Sequence, residues 1–415
     1  MPNPKPIHRL EVVVIGGGAA GFFGAIACAQ AHPETRVTLL EAAKSPLAKV
    51  RISGGGRCNV THACFDPALL VQNYPRGSKA LRGAFARFQP QNTVEWFAQQ
   101  GVHLKTEADG RMFPSTDTSE TIVNCLVQAA ARAHVKVWAG AVVKAVSYQE
   151  AQFTIYLKSG HQFQADRLLL ATGSNPQGYA IAQSLGHQLA APVPSLFTFN
   201  LRDRRLQDLA GVAVNPAHLK LVAGKHTFEQ SGPVLITHWG LSGPAVLKLS
   251  AWAARALHEH NYQATLKINW LPQSNPEVMR QQLQAVRSQL AHKSVVANCP
   301  VPIPRRLWEK LLTFIGIPPE TRWAEVSNKL LNQLLQELTQ GQYSVTGKGA
   351  FKDEFVTCGG VLLKEVDFKT MQSRQCPGLY LAGEILDIDG ITGGFNFQSA
   401  WTTGWIAGNA MGAID

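Results

Sequence analysis

The sequence predicts an α/β fold: a parallel-sheet core split by an insert that is first β-rich and then helical. Three observations carry this reading. LEVVVI at 10–15 runs into Gly16, Gly18 and Gly21, then an alanine-rich stretch, then a second apolar strand ending at Glu41. RLLLATG at 167–173 and GLYLAGE at 378–384 are two further apolar strands that end in turns. Between them, short alternating runs over 195–270 give way to leucines spaced three and four apart over 275–340.

The first of these is a Rossmann-like nucleotide motif, because its parts fall in order. Gly16 permits the tight turn after the strand, Gly18 lets a pyrophosphate reach backbone amides, and Gly21 lets the helix lie close on the sheet. Ala19 and Ala20 open that helix, and Glu41 is placed to accept hydrogen bonds from a ribose diol. The motif alone fits NAD or FAD. The later strands favour FAD: Ala171, Thr172 and Gly173 close one, and Gly383 and Glu384 close the other. AVVKAVSY, FTIYLK and HQFQADRL between 141 and 168 read as an antiparallel meander linking the halves of such a domain. No second GxGxxG occurs, so NADH or NADPH is expected only as a transient electron donor at an open site.

Composition narrows the class further. Of the 415 residues, 45% are hydrophobic and 16% charged, which is a globular profile with a sizeable core. The cysteines are Cys28, Cys58, Cys64, Cys125, Cys299, Cys358 and Cys376, an odd number with no CxxC. That argues against a disulfide framework or a structural zinc site and for a reducing, cytoplasmic setting. Residues 12–29 are uncharged, but their glycines suit the nucleotide turn better than a membrane span, and no membrane partner is expected. The formal net charge of +11 suits a polyanion such as RNA. Two basic clusters are the expected phosphate contacts: Arg76, Lys79, Arg82 and Arg87, then Arg202, Arg204 and Arg205.

Four stretches carry a specific resemblance: RISGGGRCNVT at 51–61, THWGLSGP at 237–244, FVTCGGV at 355–361, and GEILDIDGITGGFNFQSAWTTGWIAG at 383–408. They resemble the HI0933/YhiN/BaiN-like flavoproteins over the whole chain. The resemblance implies an FAD-binding core of the glutathione-reductase type with an inserted β-barrel-like domain and a helical domain. The expected boundaries are 1–190 and 346–415 for the core, 191–270 for the β-rich insert and 271–345 for the helical one. It also implies a redox enzyme, with quite different reactions linked to the group: reduction of a uracil ring in ribosomal RNA, reduction of steroid enones, and oxidation of aminoketones.

The same match orders the expected flavin site. Gly54, Gly55 and Gly56 would let backbone pack on the cofactor, with Arg57 and Asn59 donating to its pyrimidine edge. Lys49, Ser53 and Val143 are expected around it. Asp387 or Asp389 is expected to cap the last helix or touch the ribityl chain, and Gly394, Asn396, Phe397 and Gln398 to aim that helix at the flavin. Cys58 and His238 are the expected acids or nucleophiles, each weighed against a buried filler and a turn histidine. The preferred function is hydride transfer from reduced flavin to a uridine ring of ribosomal RNA. The alternatives are a reductase or oxidase of a small enone or aminoketone, and a non-catalytic ribosome-associated flavin module.

Overall fold

The computed structural model describes residues 9–349 and 356–413. The chain folds into two compact units, 1–192 with 356–415, and 193–355.

The first unit is built on a seven-stranded sheet. From Leu379–Leu381 through Arg167–Leu170, Glu11–Ile15 and Arg36–Glu41 to Lys136–Ala139 the strands are parallel. Two short strands, Val366–Asp367 and Gln372–Ser373, extend it in antiparallel pairing. The central strand reads Val12, Val13, Val14, Ile15 without alternation and is buried throughout, as a strand covered on both faces requires. The meander forms as expected: Val143–Gln149, Gln152–Leu157 and Gln162–Ala165 pair in succession, antiparallel.

Helix Ala19–Ala31 lies against the last helix, Phe395–Met411. Glycine makes the approach possible. A Cβ on Gly404 would stand 2.6 Å from the Ala20 carbonyl oxygen, and one on Gly408 would stand 2.3 Å from the Gly24 oxygen. The last helix begins at Phe395, directly after Gly394, which at φ 91° ends the preceding turn.

The second unit holds another seven-stranded sheet, antiparallel throughout. Its two end strands, Gly341–Val345 and Gly347–Lys348, are successive pieces of one segment. The first pairs with Ala264–Asn269 and the second with Phe199–Asn200, so the sheet closes on itself like a barrel. The helices Pro276–Gln289, Arg305–Phe314 and Asn328–Gln340 follow the leucine spacing closely. They share one core with the strands: Leu219, Leu221 and Ile268 pack with Leu311, Trp308 and Leu334. The β-rich and helical stretches are thus one unit, since amphipathic helices need the sheet's apolar face to cover their own. Two helices, Pro244–Trp252 and Ala254–Glu259, follow the strand Gly240–Ser242. Among the described residues no helix is long and apolar enough to cross a membrane.

Gly408→Val tests the helix pair. The added methyls meet backbone, which cannot rotate away, so the chain should lose about 3 kcal/mol in urea unfolding. Gly83→Ala, at a helical position with open space around its Cα, should change little.

Candidate active site

The parallel strands bring their carboxyl ends to one crest, where α/β sheets bind ligands. At the first turn Gly16 has φ 110°, and its N–H donates to Leu40 O at 2.9 Å. A Cβ on Gly16 would meet Ala171 O at 2.4 Å, and one on Gly21 would meet Gly16 O at 1.8 Å. Gly18 is different, with nothing within 4 Å of where its Cβ would be. It is the N-cap of helix Ala19–Ala31, which has no side-chain cap and no acid in its first turn. Unmet amides therefore face open space at the positive end of a helix, which is the setting a pyrophosphate takes. Glu41 sits beside them, accepting from Gly17 N at 2.6 Å and Ala43 N at 2.7 Å.

The other strand ends join this group. A Cβ on Gly383 would lie 2.8 Å from Ala20 Cβ, and one on Gly173 would lie 3.4 Å from Glu384 Oε2. Lys49 Nζ donates to Glu384 Oε2 at 2.6 Å and reaches Ser174 Oγ at 3.4 Å, while Glu384 Oε1 accepts from Thr357 N at 3.0 Å. Thr172 Oγ1 is buried with no hydrogen-bond partner. Val143 is buried at the start of the meander. Uncapped amides, an unmet hydroxyl and an acid at the second strand's end fit a dinucleotide. Gly16, Gly18, Ala19, Ala20, Gly21, Glu41, Lys49, Ala171, Thr172, Gly173, Gly383 and Glu384 are thus one constellation.

The triple glycine forms a second, neighbouring feature. The helix from Ala48 breaks at Ser53, whose ψ is 154°, and Gly54, Gly55 and Gly56 all take positive φ. Ser53 itself closes the break, donating from Oγ to Val50 O at 2.9 Å and accepting Cys58 N at 3.0 Å. No L side chain tolerates three such residues in a row cheaply. Gly55 and Gly56 face open space. Asn59 bridges from this loop to the last helix: its amide nitrogen donates to Thr61 O and its oxygen accepts from Gly394 N, both at 3.0 Å.

Several expected roles are corrected here. Arg57 Nη1 donates to Glu107 at 2.6 Å and its guanidinium lies 4.0 Å over the Phe113 ring, so it braces the small sheet of Thr61–His62, Leu104–Thr106 and Arg111–Pro114. The Glu107 hydrogen bond raises its already high pKa. Cys58 is wholly buried at φ 61°, and burial pushes its thiol up to about 12. It is a core filler with no surface to offer a substrate and negligible thiolate at neutral pH. Asn396 does not face outward: its amide closes on Gly390 N and Gly390 O, each at 2.8 Å. Gln398 is a buried hub, accepting from Thr61 and Thr93 and donating to Thr402. Phe397 stacks on Trp401 at 5.6 Å. Neither Asp387 nor Asp389 caps the last helix, whose N-cap is Gly394 with no side-chain acceptor. What that helix presents is its first-turn amides, not its side chains.

The basic clusters divide in the same way. Arg76 binds the fully buried Asp389 through two nitrogens, so it is an internal ion pair. Arg205 is buried too, bound to Asp203 and Glu337 at 2.6 Å each. Burial pulls its guanidinium down, and the two carboxylates outweigh that and leave it raised. Arg87 is exposed and donates to Lys369 O. Lys79, Arg82, Arg202 and Arg204 are exposed with no ion-pair partner among the described residues. His238 is exposed on the turn between His226–Thr237 and Gly240–Ser242, in the inserted unit. Sequence reasoning missed its neighbour Trp239, which is 74% exposed.

A dinucleotide cleft at the crest of a parallel sheet, with a meander and a late strand–helix pair closing on it, defines an FAD-dependent oxidoreductase. The chain belongs to the HI0933-like family, whose description reads "HI0933-like protein Rossmann domain" and whose profile matches residues 10–410. It is similar to 3-dehydro-bile acid delta(4,6)-reductase of Clostridium scindens, at 30% identity over 408 residues, 96% of this chain and 98% of that protein. It is also similar to the ribosomal RNA dihydrouridine synthase of Escherichia coli K12, at 32% identity over 416 residues, 96% of this chain and 97% of that one. Among solved structures, 3-ketosteroid-delta4-(5alpha)-dehydrogenase of Rhodococcus jostii shares the fold. It has a TM-score of 0.50 and 14% identity, covering 98% of this chain and 97% of that chain.

Two measurements check the site. Gly18→Asp fits the extended N-cap conformation, φ −90° and ψ −167°, and its carboxylate caps the helix. Stability without cofactor should hold or rise, while FAD affinity falls at least about tenfold, equivalent to about 1.4 kcal/mol. Titration gives the other. Burial raises Cys28 and Cys58 to about 12 and Cys125 and Cys376 to about 11. Above pH 9 the unfolded thiols ionise while the folded ones do not, so stability is full below about 9 and lost progressively toward about 12. Cys58→Ala should flatten part of that alkaline loss and leave flavin reduction intact.

Proposed function

We propose that the protein reduces a ring C=C conjugated to a carbonyl, with FAD as its cofactor, NAD(P)H as electron donor and a uridine of ribosomal RNA as substrate. The uracil C5=C6 bond and a steroid enone share that chemistry, which is what the names of the two similar relatives have in common. Bound FAD would supply the hydride chemistry: NAD(P)H gives up two electrons and one proton as a hydride equivalent, which one alkene carbon receives, a second proton reaches the neighbouring carbon, and NAD(P)+ and the dihydro product leave.

The chain's own residues do the rest. The amides at Gly18 to Gly21 hold the pyrophosphate and Glu41 the adenosine ribose. Lys49 and Glu384, paired across the strand ends, line the run between them. The amides of Gly54 to Gly56 and the first turn of helix Phe395–Met411 supply positive potential to the flavin ring, which favours its reduced, more negative state.

One observation favours RNA over a small neutral substrate. The chain carries a net +11, and part of that charge is unspent: Lys79 and Arg82 sit one helical turn apart on Ser78–Phe85, exposed and without carboxylate partners among the described residues. A neutral enone needs no such surface, whereas a polyanion gains from each cation it meets.

The test is anaerobic. Photoreduced holoenzyme is mixed with unmodified ribosomal RNA, and the returning oxidised flavin band is followed beside a parallel reaction with a conjugated enone. RNA-dependent reoxidation with loss of a uridine double bond is expected. The double variant Lys79→Ala/Arg82→Ala should raise the KM for RNA severalfold. Turnover with the enone alone, and silence with RNA, would overturn the reading.

A further inference from the structure

Trp239 is the most exposed large apolar side chain among the described residues. It does not sit on a loose loop. The turn that carries it is clamped to the neighbouring strand: Leu201 N donates to Trp239 O at 3.0 Å, while Phe199 pairs with Leu241 and Asn200 with Gly240. The clamp depends on Gly240, at φ 149°, where a Cβ would meet Phe199 O at 2.2 Å and Leu201 N at 2.6 Å. The backbone of Trp239 is thus fixed and its indole left in solvent.

The same hydrogen bond brings a charge pattern to the ring. Arg202 and Arg204 stand one and three residues beyond Leu201, whose N–H is held by Trp239 O. Both are exposed and without carboxylate partners among the described residues. Asp203, which lies between them, is taken by Arg205, which donates from Nε at 2.8 Å and Nη2 at 2.6 Å. The local acid is neutralised from within and the two outer cations are not. An exposed aromatic face, and two exposed arginines within three residues of the backbone hydrogen-bonded to it and without carboxylate partners among the described residues, match one chemistry well: a base to stack and phosphates on either side of it.

We propose that the turn at His238–Trp239, with Arg202 and Arg204, is a docking site for single-stranded RNA, on which Trp239 stacks an unpaired base while the arginines contact its flanking phosphates. The proposal rests on the RNA reading above and deepens it, because it states what part of the substrate is held and in what form. Stacking demands an unpaired base, so the substrate segment is single-stranded or opened, which is also what access of a ring to a flavin requires.

Binding of a labelled, uridine-rich single-stranded RNA to the FAD-loaded enzyme, read by anisotropy across a salt series, tests it. Trp239→Ala should weaken binding about tenfold, and Trp239→Phe, which keeps a stacking face, should recover most of that loss. Arg202→Ala/Arg204→Ala should lower the slope of log affinity against log salt by about 1.4, since each phosphate contact to a single strand contributes about 0.7. FAD content and the thermal midpoint serve as folding controls for each variant. Unchanged affinity in Trp239→Ala, or an equal loss in Trp239→Phe, overturns the proposal. So does concentration-dependent self-association that Trp239→Ala abolishes, because the ring's occupant is then a second copy of the chain. The two readings fail separately: RNA-dependent flavin reoxidation that survives Trp239→Ala at full apparent affinity sinks the docking site alone. Docking without any uridine reduction sinks the proposed reaction alone.

Discussion

The first unit depends on a contact of backbone with backbone. Helices Ala19–Ala31 and Phe395–Met411 come from opposite ends of the chain and pack where Gly24, Gly404 and Gly408 carry no side chain. Gly404 and Gly408 are one helical turn apart, so they present a single groove. Because the helices lie so close, their N-termini are placed by packing and not by capping side chains, and neither has a capping acceptor. The first turns of both helices are thereby left without a capping side chain. The apolar contact and the electrostatic site are the same piece of design: Trp401, wholly buried beside the groove, also donates from Nε1 to Val60 O at 2.9 Å and ties the glycine loop's far end to the last helix.

What the sequence made legible follows from the range of the interactions concerned. The nucleotide turn was readable because its demands are local: a turn, an open approach and an acid fall within a short span. The amphipathic helices were readable for the same reason, since their period is written along the chain. Side-chain partners across hundreds of residues were not readable. Nothing near Gln398 in sequence shows that it will hold Thr61 and Thr93, and nothing near Asn396 shows that it will close on Gly390. A polar residue at a helix N-terminus looks the same whether it faces a ligand or the core. The separate helical domain failed for a related reason: leucine spacing reports that a helix buries one face, but not which partner covers it.

Charge shows the limit most clearly. Clustered arginines look alike in sequence, yet Arg76 and Arg205 are buried against carboxylates, while Lys79, Arg82, Arg202 and Arg204 are not. A buried pair is strongly destabilising to break, by about 3–5 kcal/mol, because one charge is left desolvated. The paired arginines therefore belong to the fold. Only the unpaired ones are available to a partner, and the formal +11 overstates neither group so much as it merges them.

The exposed tryptophan completes that separation. A solvent-facing indole forgoes about 1.5–3 kcal/mol of burial that a core position would give it. A flexible loop would recover part of this by folding the ring down onto the nearest apolar surface. Here Gly240 and the Leu201–Trp239 hydrogen bond hold the backbone so that the ring stays out. Rigidity at an exposed aromatic lowers the entropy lost when something stacks on it, and that is the condition under which a single ring contributes appreciably to binding. Arg202 and Arg204 lack carboxylate partners among the described residues, and Asp203, the acid between them in sequence, is held by Arg205 from within the core. A buried ion pair thus sets the surface potential of the turn above it, and the fold's internal electrostatics determine what the outside of this unit attracts.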